Sequence, residues 1–423
     1  MPTINVLIFP AGEINSIELH DALATCVNIN VFGASSIDRH GSYVFENYES
    51  GLPMLTAPDF YEKFNALLNK WNIDVIFPTH DTVATVFADN ADKINAKIIT
   101  ADKRTSAICR DKEKTYAALE GCDFVPKTFD KIESYPVFIK PKQASGAVGA
   151  KLINSGKDIP NVDLSEYVIC EYLPGEEYTV DCLTDKDGKL RVVSPRSRIR
   201  LMAGVSMSGE TEKLTPEIEH IATEINNRMK FMGLWWFQIK QDSNGKWKLL
   251  EVSTRCAGTM ALTRVRGINL PLLSVYTAMG YDISVEPNAY HVKMDSSLIR
   301  RYKIDYEYDT VYFDFDDTLI VRNKVNLKAI WFLYQCQNYG KKVILLTKHE
   351  HELHDSMKKY HIDSGLFSEI IHIALEANKA EYIKPNRAIF IDNMYQERHT
   401  VRKTHGIPVF DVDALDVLMD WRI

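Results

Sequence analysis

A multidomain protein of mixed α/β and α+β class is what these 423 residues predict, on three observations. Short apolar runs recur along the chain and end in polar side chains, as strands do when they deliver residues to one edge of a sheet. Two further runs, either side of Gln241 to Gly245, have the length and turn chemistry of a hairpin. The chain is also longer than one hydrophobic core usually organises, and its length suggests about three domains.

Composition sets outer bounds. Hydrophobic residues make up 45% and charged residues 25%, enough for a substantial core and against long disorder. The formal net charge is -7, the sequence pI is near 6.0, and no basic run is interleaved with aromatics, so no nucleic-acid partner is expected. No apolar stretch approaches the roughly 18 to 20 residues that span a bilayer. The first residues lack the charged-then-apolar pattern of a signal peptide, so no membrane partner and a cytoplasmic location are expected. The seven cysteines have no C-x-x-C spacing, which argues for buried thiols over zinc or a disulfide framework.

From the N-terminus, residues 4–9 read as an apolar strand entering Pro10, Ala11 and Gly12, followed by a helix-like stretch and a strand from Ile29 to Phe32. This is a βαβ opening. Residues 74–81 repeat the pattern, with Thr79, His80 and Asp81 at the end where open α/β sheets bind ligands; Thr79 or Asp81 would equally cap a helix. Next, a strand delivers Lys140 into a small-residue loop containing Ser145, Gly146 and Gly149, where backbone amides can approach phosphates. A segment from Val168 to Asp181 carries Glu171, Leu173 and Glu177, and the hairpin places Gln238 on its first strand and Glu251, Ser253 and Arg255 on and after its second.

These runs together resemble the ATP-grasp carboxylate-amine ligases. The resemblance implies a pre-ATP-grasp α/β domain over 1–108 and an ATP-grasp domain over 109–300. It also implies that Lys112, Lys140, Ser145 and Gly146 hold ATP phosphates, that Glu171 and Leu173 meet the adenine, and that Glu177 meets the ribose. Gln238, Glu251 and Ser253 would hold two Mg2+, with Ser253 standing where the family has an amide oxygen, a stronger ligand for a hard cation. Arg255 would stabilise charge on the transferring phosphoryl group. Arg196, Arg198 and the segment 202–209 resemble the part that closes over phosphate and acceptor, although both arginines also read as solvated surface charges.

Further along, an apolar run from Val311 ends in Asp314 and Asp316, two carboxylates one residue apart at a strand end. Lys342 to Leu346 is a second buried strand, ending in Thr347, and Ala388 to Ile391 is a third, ending in Asp392. These elements resemble the haloacid dehalogenase-like (HAD) superfamily over residues 306–423, a Rossmann-like domain. By that resemblance Asp314 is the nucleophile, Asp316 the general acid/base, Thr347 and Lys379 the phosphate-holding residues, and Asp314, Asp316 and Asp392 the Mg2+ site. Lys384 rivals Lys379, and Asn393 and Glu397 stand near the final acid. Gaps of 32 and 31 residues between Asp314, Thr347 and Lys379 leave room for one crossover helix each, hence only a minimal cap.

Three other constellations carry bland readings. His349, His351 and His354 do not share a helical face, and Thr347 with Glu350 reads as a capping box. Trp235, Trp236 and Phe237 read as core packing, and residues 281–310 as a connector. The expected function is a two-site enzyme, an ATP- and Mg2+-dependent ligase of a carboxylate and an amine coupled to a phosphatase of a phosphomonoester, with a homodimer as the default assembly. Its rivals are a ligase with a docking or regulatory second module, and a nucleotide sensor that never consumes ATP.

Overall fold

The computed structural model describes residues 2–144, 146–202, 204–297 and 299–422. The chain divides into two compact units, 1–298 and 299–422.

The first unit opens on a five-stranded parallel sheet: β1 (Ile4–Phe9), β2 (Ile29–Ala34), β3 (Asn47–Glu49), β4 (Val75–Pro78) and β5 (Lys97–Ile98), ordered β3-β2-β1-β4-β5. Its crossovers carry helices α1 (Ile14–Leu23), α2 (Phe60–Lys70) and α3 (Asp81–Asp89). The strand order reverses between β1 and β4, so Pro10 and Thr79 to Asp81 leave the sheet at its switch point. Helices α4 (Lys103–Arg110) and α5 (Lys112–Ala118) follow, then an antiparallel sheet of β6 (Thr128–Phe129), β7 (Val137–Pro141), β8 (Lys151–Ile153) and β9 (Tyr167–Glu171), ordered β6-β9-β7-β8.

After it come β10 (Glu177–Thr184), β11 (Leu190–Ser197), β12 (Arg200–Met202), β13 (Val205–Glu210), α6 (Pro216–Arg228), β14 (Gly233–Gln241) and β15 (Trp247–Ser253). Strands β11-β10-β14-β15 form one antiparallel sheet. Alternation decides its two faces: Trp235 and Phe237 enter the core beneath α6, while Trp236 faces the opposite way with Leu183 and Val192, toward residues of β1 and α1. Short α7 (Ala261–Arg264) and α8 (Leu270–Ala278) close the unit. The stretch expected as a plain connector supplies β16 (Lys293–Asp295), which pairs with β13 from Ser208 to Glu210. A three-residue strand is too short for side-chain alternation to show in the sequence.

The two modules expected over 1–108 and 109–300 share one core and are bolted together by polar contacts. Glu18 takes a bidentate bond from Arg264 at 2.7 and 3.0 Å, and Asn15 Nδ2 donates to the carbonyls of Thr79 at 2.6 Å and Cys256 at 3.1 Å.

The second unit is built on β17 (Thr310–Phe313), with the small hairpin β18 (Ile320–Val321) and β19 (Lys324–Val325), α9 (Leu327–Asn338), β20 (Lys342–Thr347), α10 (Leu353–Lys359), β21 (Glu369–His372), β22 (Ala388–Ile391), α11 (Tyr395–His405) and β23 (Val409–Phe410). Its parallel sheet runs β21-β20-β17-β22-β23, again with β17 beside the switch point. The ends of β17, β20 and β22 lie side by side, which brings Asp314, Thr347 and Asp392 to one edge. Among the described residues no helix is long and apolar enough to cross a membrane.

Candidate functional sites

A cleft of about 300 Å3 in the first unit is walled by the β14–β15 hairpin, the end of β4, the start of α5 and the segment around Gly204. The hairpin register sets Gln238 opposite Glu251 and Trp236 opposite Ser253. It slips after Gln238, so Ile239 faces Leu249 and Leu250 is a bulge. A bulged carbonyl is free of the ladder, and that of Leu250 accepts from Lys140 Nζ at 2.9 Å and from Tyr116 OH at 2.9 Å. Lys140 also meets Tyr116 OH at 2.6 Å, and burial draws its pKa down.

Lys112 begins α5 behind the cap Asp111, whose carboxylate accepts from the amides of Glu113 and Lys114. Its Nζ donates to the Ala144 carbonyl at 3.1 Å and lies 3.4 Å from Glu251 Oε2. Gly146 has φ +65°, and Gly204, at φ +77°, approaches it so closely that a Cβ at 204 would sit 2.2 Å from the Gly146 oxygen. Ser145, expected in the same loop, lies outside the described residues.

At the other end of the cleft, Arg255 donates through Nε and Nη2 to the two oxygens of Asp81, both at 2.9 Å, and Ser253 Oγ donates to the same Asp81 at 2.9 Å. Burial alone would raise the Asp81 carboxyl; Arg255, the Ser253 hydroxyl and Arg110 overcome it and hold the group at about 2. Neither Thr79 nor Asp81 caps α3. His80 does, its Nδ1 accepting from the Thr82 amide, because Thr79 Oγ1 is spent on the Pro10 carbonyl. Arg196 is fully buried on Asp181 at 2.8 and 3.0 Å, and Arg198 reaches Glu177 at 2.6 Å, so neither is a solvated charge. Glu177 also accepts from Lys240 at 3.0 Å; Glu171 accepts from the Lys127 amide at 2.8 Å, and Leu173 is buried.

In the second unit Lys379 Nζ bridges Asp314 Oδ1 and Asp392 Oδ2, both at 2.6 Å, with all three side chains buried. Burial pushes Asp314 up, Lys379 opposes it and Asp392 adds to it, leaving the carboxyl at about 6. Thr318 Oγ1 donates to the other Asp314 oxygen at 3.2 Å. Thr347 is fully buried at the end of β20, and its hydroxyl has no hydrogen-bond partner among the described residues. Such an orphan costs free energy unless something outside the chain satisfies it. Lys384 is exposed, and Glu397 is paired with Lys348 at 2.5 Å.

Asp316 is exposed, and its Oδ2 meets His349 Nδ1 at 2.7 Å, while His349 Nε2 meets Ser356 Oγ at 2.7 Å. The expected three-carboxylate set is thus a buried pair with Asp316 turned to a histidine. Among the described residues no three His, Cys, Asp or Glu side chains converge as a cation cage. The expected capping box does not form: residues 348–352 are not helical, α10 starts at Leu353, and His349 is drawn to Asp316. Sequence reading missed His349 because its partner is 33 residues away. For the Asp81–Arg255 pair the signal present was a strand-end acid; its partner, 174 residues on, left no local trace.

The first unit has the ATP-grasp fold. Over 68% of this chain and 74% of that one, it superimposes on biotin carboxylase from Campylobacter jejuni with a TM-score of 0.57 at 15% identity. Against an L-amino acid ligase from Bacillus licheniformis the TM-score is 0.52 at 15% identity, over 66% and 75% of the two chains. A family model described as ATP-grasp in the biosynthetic pathway with Ter operon matches residues 163–300. In sequence, the chain is similar to the 3-methyl-D-ornithine–L-lysine ligase of Methanosarcina mazei, 27% identical over 153 residues, 35% of this chain and 39% of the relative. It is similar also to a D-alanine–D-alanine ligase of Clostridium botulinum, 28% identical over 156 residues, 32% and 51% of the two. The chain spans about half or less of the length of these curated relatives.

Proposed function

We propose that the first unit is an ATP-dependent ligase that joins a carboxylate to an amine through an acyl phosphate, and that the second is a Mg2+-dependent phosphatase of HAD type acting on a metabolite of the same pathway. The observation that carries the ligase reading is the convergence, on one cleft of an ATP-grasp fold, of the Gln238–Glu251 pair, Lys112 and the clamped Arg255. The names of both sequence relatives describe the joining of amino acids, which favours amino-acid-like substrates here.

Gln238 and Glu251 would hold Mg2+, which when bound neutralises charge on phosphate oxygens. Lys112, Lys140 and the backbone at Gly146 would hold the phosphates, Glu171 and Leu173 the base. Glu177 keeps lone pairs free for ribose hydroxyls beside its two cationic neighbours. The substrate carboxylate attacks the γ-phosphorus, the bond to the β-phosphate bridge oxygen breaks, and ADP leaves. Arg255 stabilises the charge that develops, at no reorganisation cost because Asp81 already fixes it. An amine then attacks the acyl carbon, phosphate departs, and the amine loses a proton.

In the second unit, the buried trio of Asp314, Lys379 and Asp392, with the orphan Thr347 hydroxyl at the end of the neighbouring strand β20, supports the phosphatase reading. Asp314 and Asp392 would hold Mg2+ with Lys379 beside them; two carboxylates drawn upward in pKa by burial suit a cation. Asp314 attacks phosphorus, the ester P–O bond breaks, and Asp316 gives the leaving oxygen a proton. Asp316 then takes a proton from the water that hydrolyses the aspartyl phosphate, releasing phosphate and restoring Asp314.

Both halves are tested by following ADP and free phosphate separately. Purified protein is given MgATP, a panel of L- and D-amino acids and hydroxylamine as trapping amine, and in parallel p-nitrophenyl phosphate. ADP and hydroxamate are expected with a subset of acids, and Asp314→Asn is expected to remove p-nitrophenol release while ADP formation survives. ATP binding without ADP for any acid would replace the ligase with a sensor, and Asp314-independent phosphate release would reduce the second unit to a docking module.

A further inference from the structure

Strands β14 and β15 place four side chains on the cleft wall in two rows. In the first row Gln238 faces Glu251. Gln238 makes no side-chain hydrogen bond among the described residues, and Glu251 has Lys112 at 3.4 Å, so the amide and carboxylate oxygens are available to a cation. In the second row Trp236 faces Ser253, and the chemistry is different.

Ser253 Oγ donates a hydrogen bond to Asp81 Oδ1 at 2.9 Å, the same oxygen that accepts from Arg255 Nε at 2.9 Å, while Asp81 Oδ2 accepts from Arg255 Nη2 at 2.9 Å. The one carboxylate bonded to Ser253 therefore carries three donors. Trp236 offers no oxygen; its buried indole N–H lacks an acceptor among the described residues, and the Arg255 guanidinium lies over its ring, 5.4 Å from the centroid. A hard divalent cation requires several oxygen ligands, with carboxylates foremost, and here it would meet one hydroxyl beside a fixed positive charge. The donor set fits a cation at Gln238 and Glu251 and does not fit one at Ser253.

We infer that this cleft takes one divalent cation with its nucleotide, on Gln238 and Glu251, and that the Arg255 guanidinium held by Asp81 supplies positive charge where the fold's second Mg2+ would stand. The inference rests on the ligase reading and deepens it. Asp81 is then a positioning residue, since it acts through Arg255.

Electron paramagnetic resonance of Mn2+ tests this on the full chain with a non-hydrolysable ATP analogue, AMP-PCP. Two Mn2+ ions about 4 Å apart are spin-coupled, whereas a lone ion keeps its six-line spectrum. The second unit's acids do not confuse the result, because the readout is the coupling and the nucleotide-dependent increment. The wild type is expected to gain one uncoupled Mn2+ per bound AMP-PCP, and Glu251→Gln to lose that ion's affinity at least 10-fold. Ser253→Asn, which adds an amide oxygen, is expected to remain uncoupled while Asp81–Arg255 is intact. A coupled pair in the wild type, with AMP-PCP bound, overturns the inference and leaves the ligase reading standing. Failure of AMP-PCP to bind, measured by equilibrium dialysis, overturns both. Should Ser253→Asn misfold, the wild-type spectrum alone decides.

Discussion

Asp81 holds three donors on two oxygens, and its removal would strand a guanidinium that is largely out of water. Breaking such a pair from one side costs several kcal/mol when fully buried; with part of Arg255 still solvated, Asp81→Asn should cost about 2 to 4 kcal/mol. The pH dependence has a definite sign. Because the folded carboxyl sits at about 2, below its ordinary 3.8, its contribution is complete above 3.8 and is lost as pH falls toward 2. The gap in unfolding free energy between wild type and Asp81→Asn, measured by urea titration, should stay constant from pH 7 to 5 and shrink below pH 4. A gap that instead widened on acidification would contradict the pairing. A second substitution is sharper still: Thr347→Ala removes an orphan hydroxyl, so it should leave stability within about 1 kcal/mol of wild type while cutting p-nitrophenyl phosphate turnover at least 10-fold. Asp314 and Asp392 were legible because an acid closing an apolar run is a local pattern. His349 and the Asp81–Arg255 clamp were not, since each depends on a partner distant in sequence that only the folded chain brings near.

Elements carry the next constraint, because the segment joining β12 to β13 presses closely on the glycine loop at Gly204. At Gly204 the chain adopts φ +77°, and any Cβ would press into the Gly146 carbonyl. Gly204→Ala must therefore shift either the turn between β12 and β13 or the loop itself, at about 1 to 3 kcal/mol. AMP-PCP affinity, read by calorimetry, should fall about 10-fold, with p-nitrophenyl phosphate turnover unchanged; unchanged affinity would detach that loop from the nucleotide. Strands β1, β2, β4, β17, β20 and β22 and the β14–β15 hairpin could be read from their apolar runs. Strand β16 could not, since it is defined by the exposed edge of β13 and by no pattern of its own. The bulge at Leu250 was equally silent. It is a slip in register between two strands, and one strand's sequence does not state where its partner stops matching.

At the scale of the molecule, each unit encloses its own hydrophobic clusters. Those of the second lie wholly between Tyr306 and Trp421, on both faces of a five-stranded parallel sheet, and a span of this size ordinarily folds alone. Leu333, fully buried on α9 against that sheet, and Ile225, fully buried on α6 in the first unit, serve as matched probes. Truncation of such a side chain costs about 2 to 5 kcal/mol, which in a domain of this size lowers its melting temperature by roughly 10 °C. Scanning calorimetry of the intact chain should show two transitions. Leu333→Ala should lower the transition that Mg2+ raises in the absence of nucleotide, along with the temperature at which phosphatase activity is lost. Ile225→Ala should lower the one raised by Mg2+ with AMP-PCP and leave phosphatase activity in place. A single transition moved equally by both substitutions would mean that the two units unfold as one, and that neither site's activity can be assigned to its unit alone.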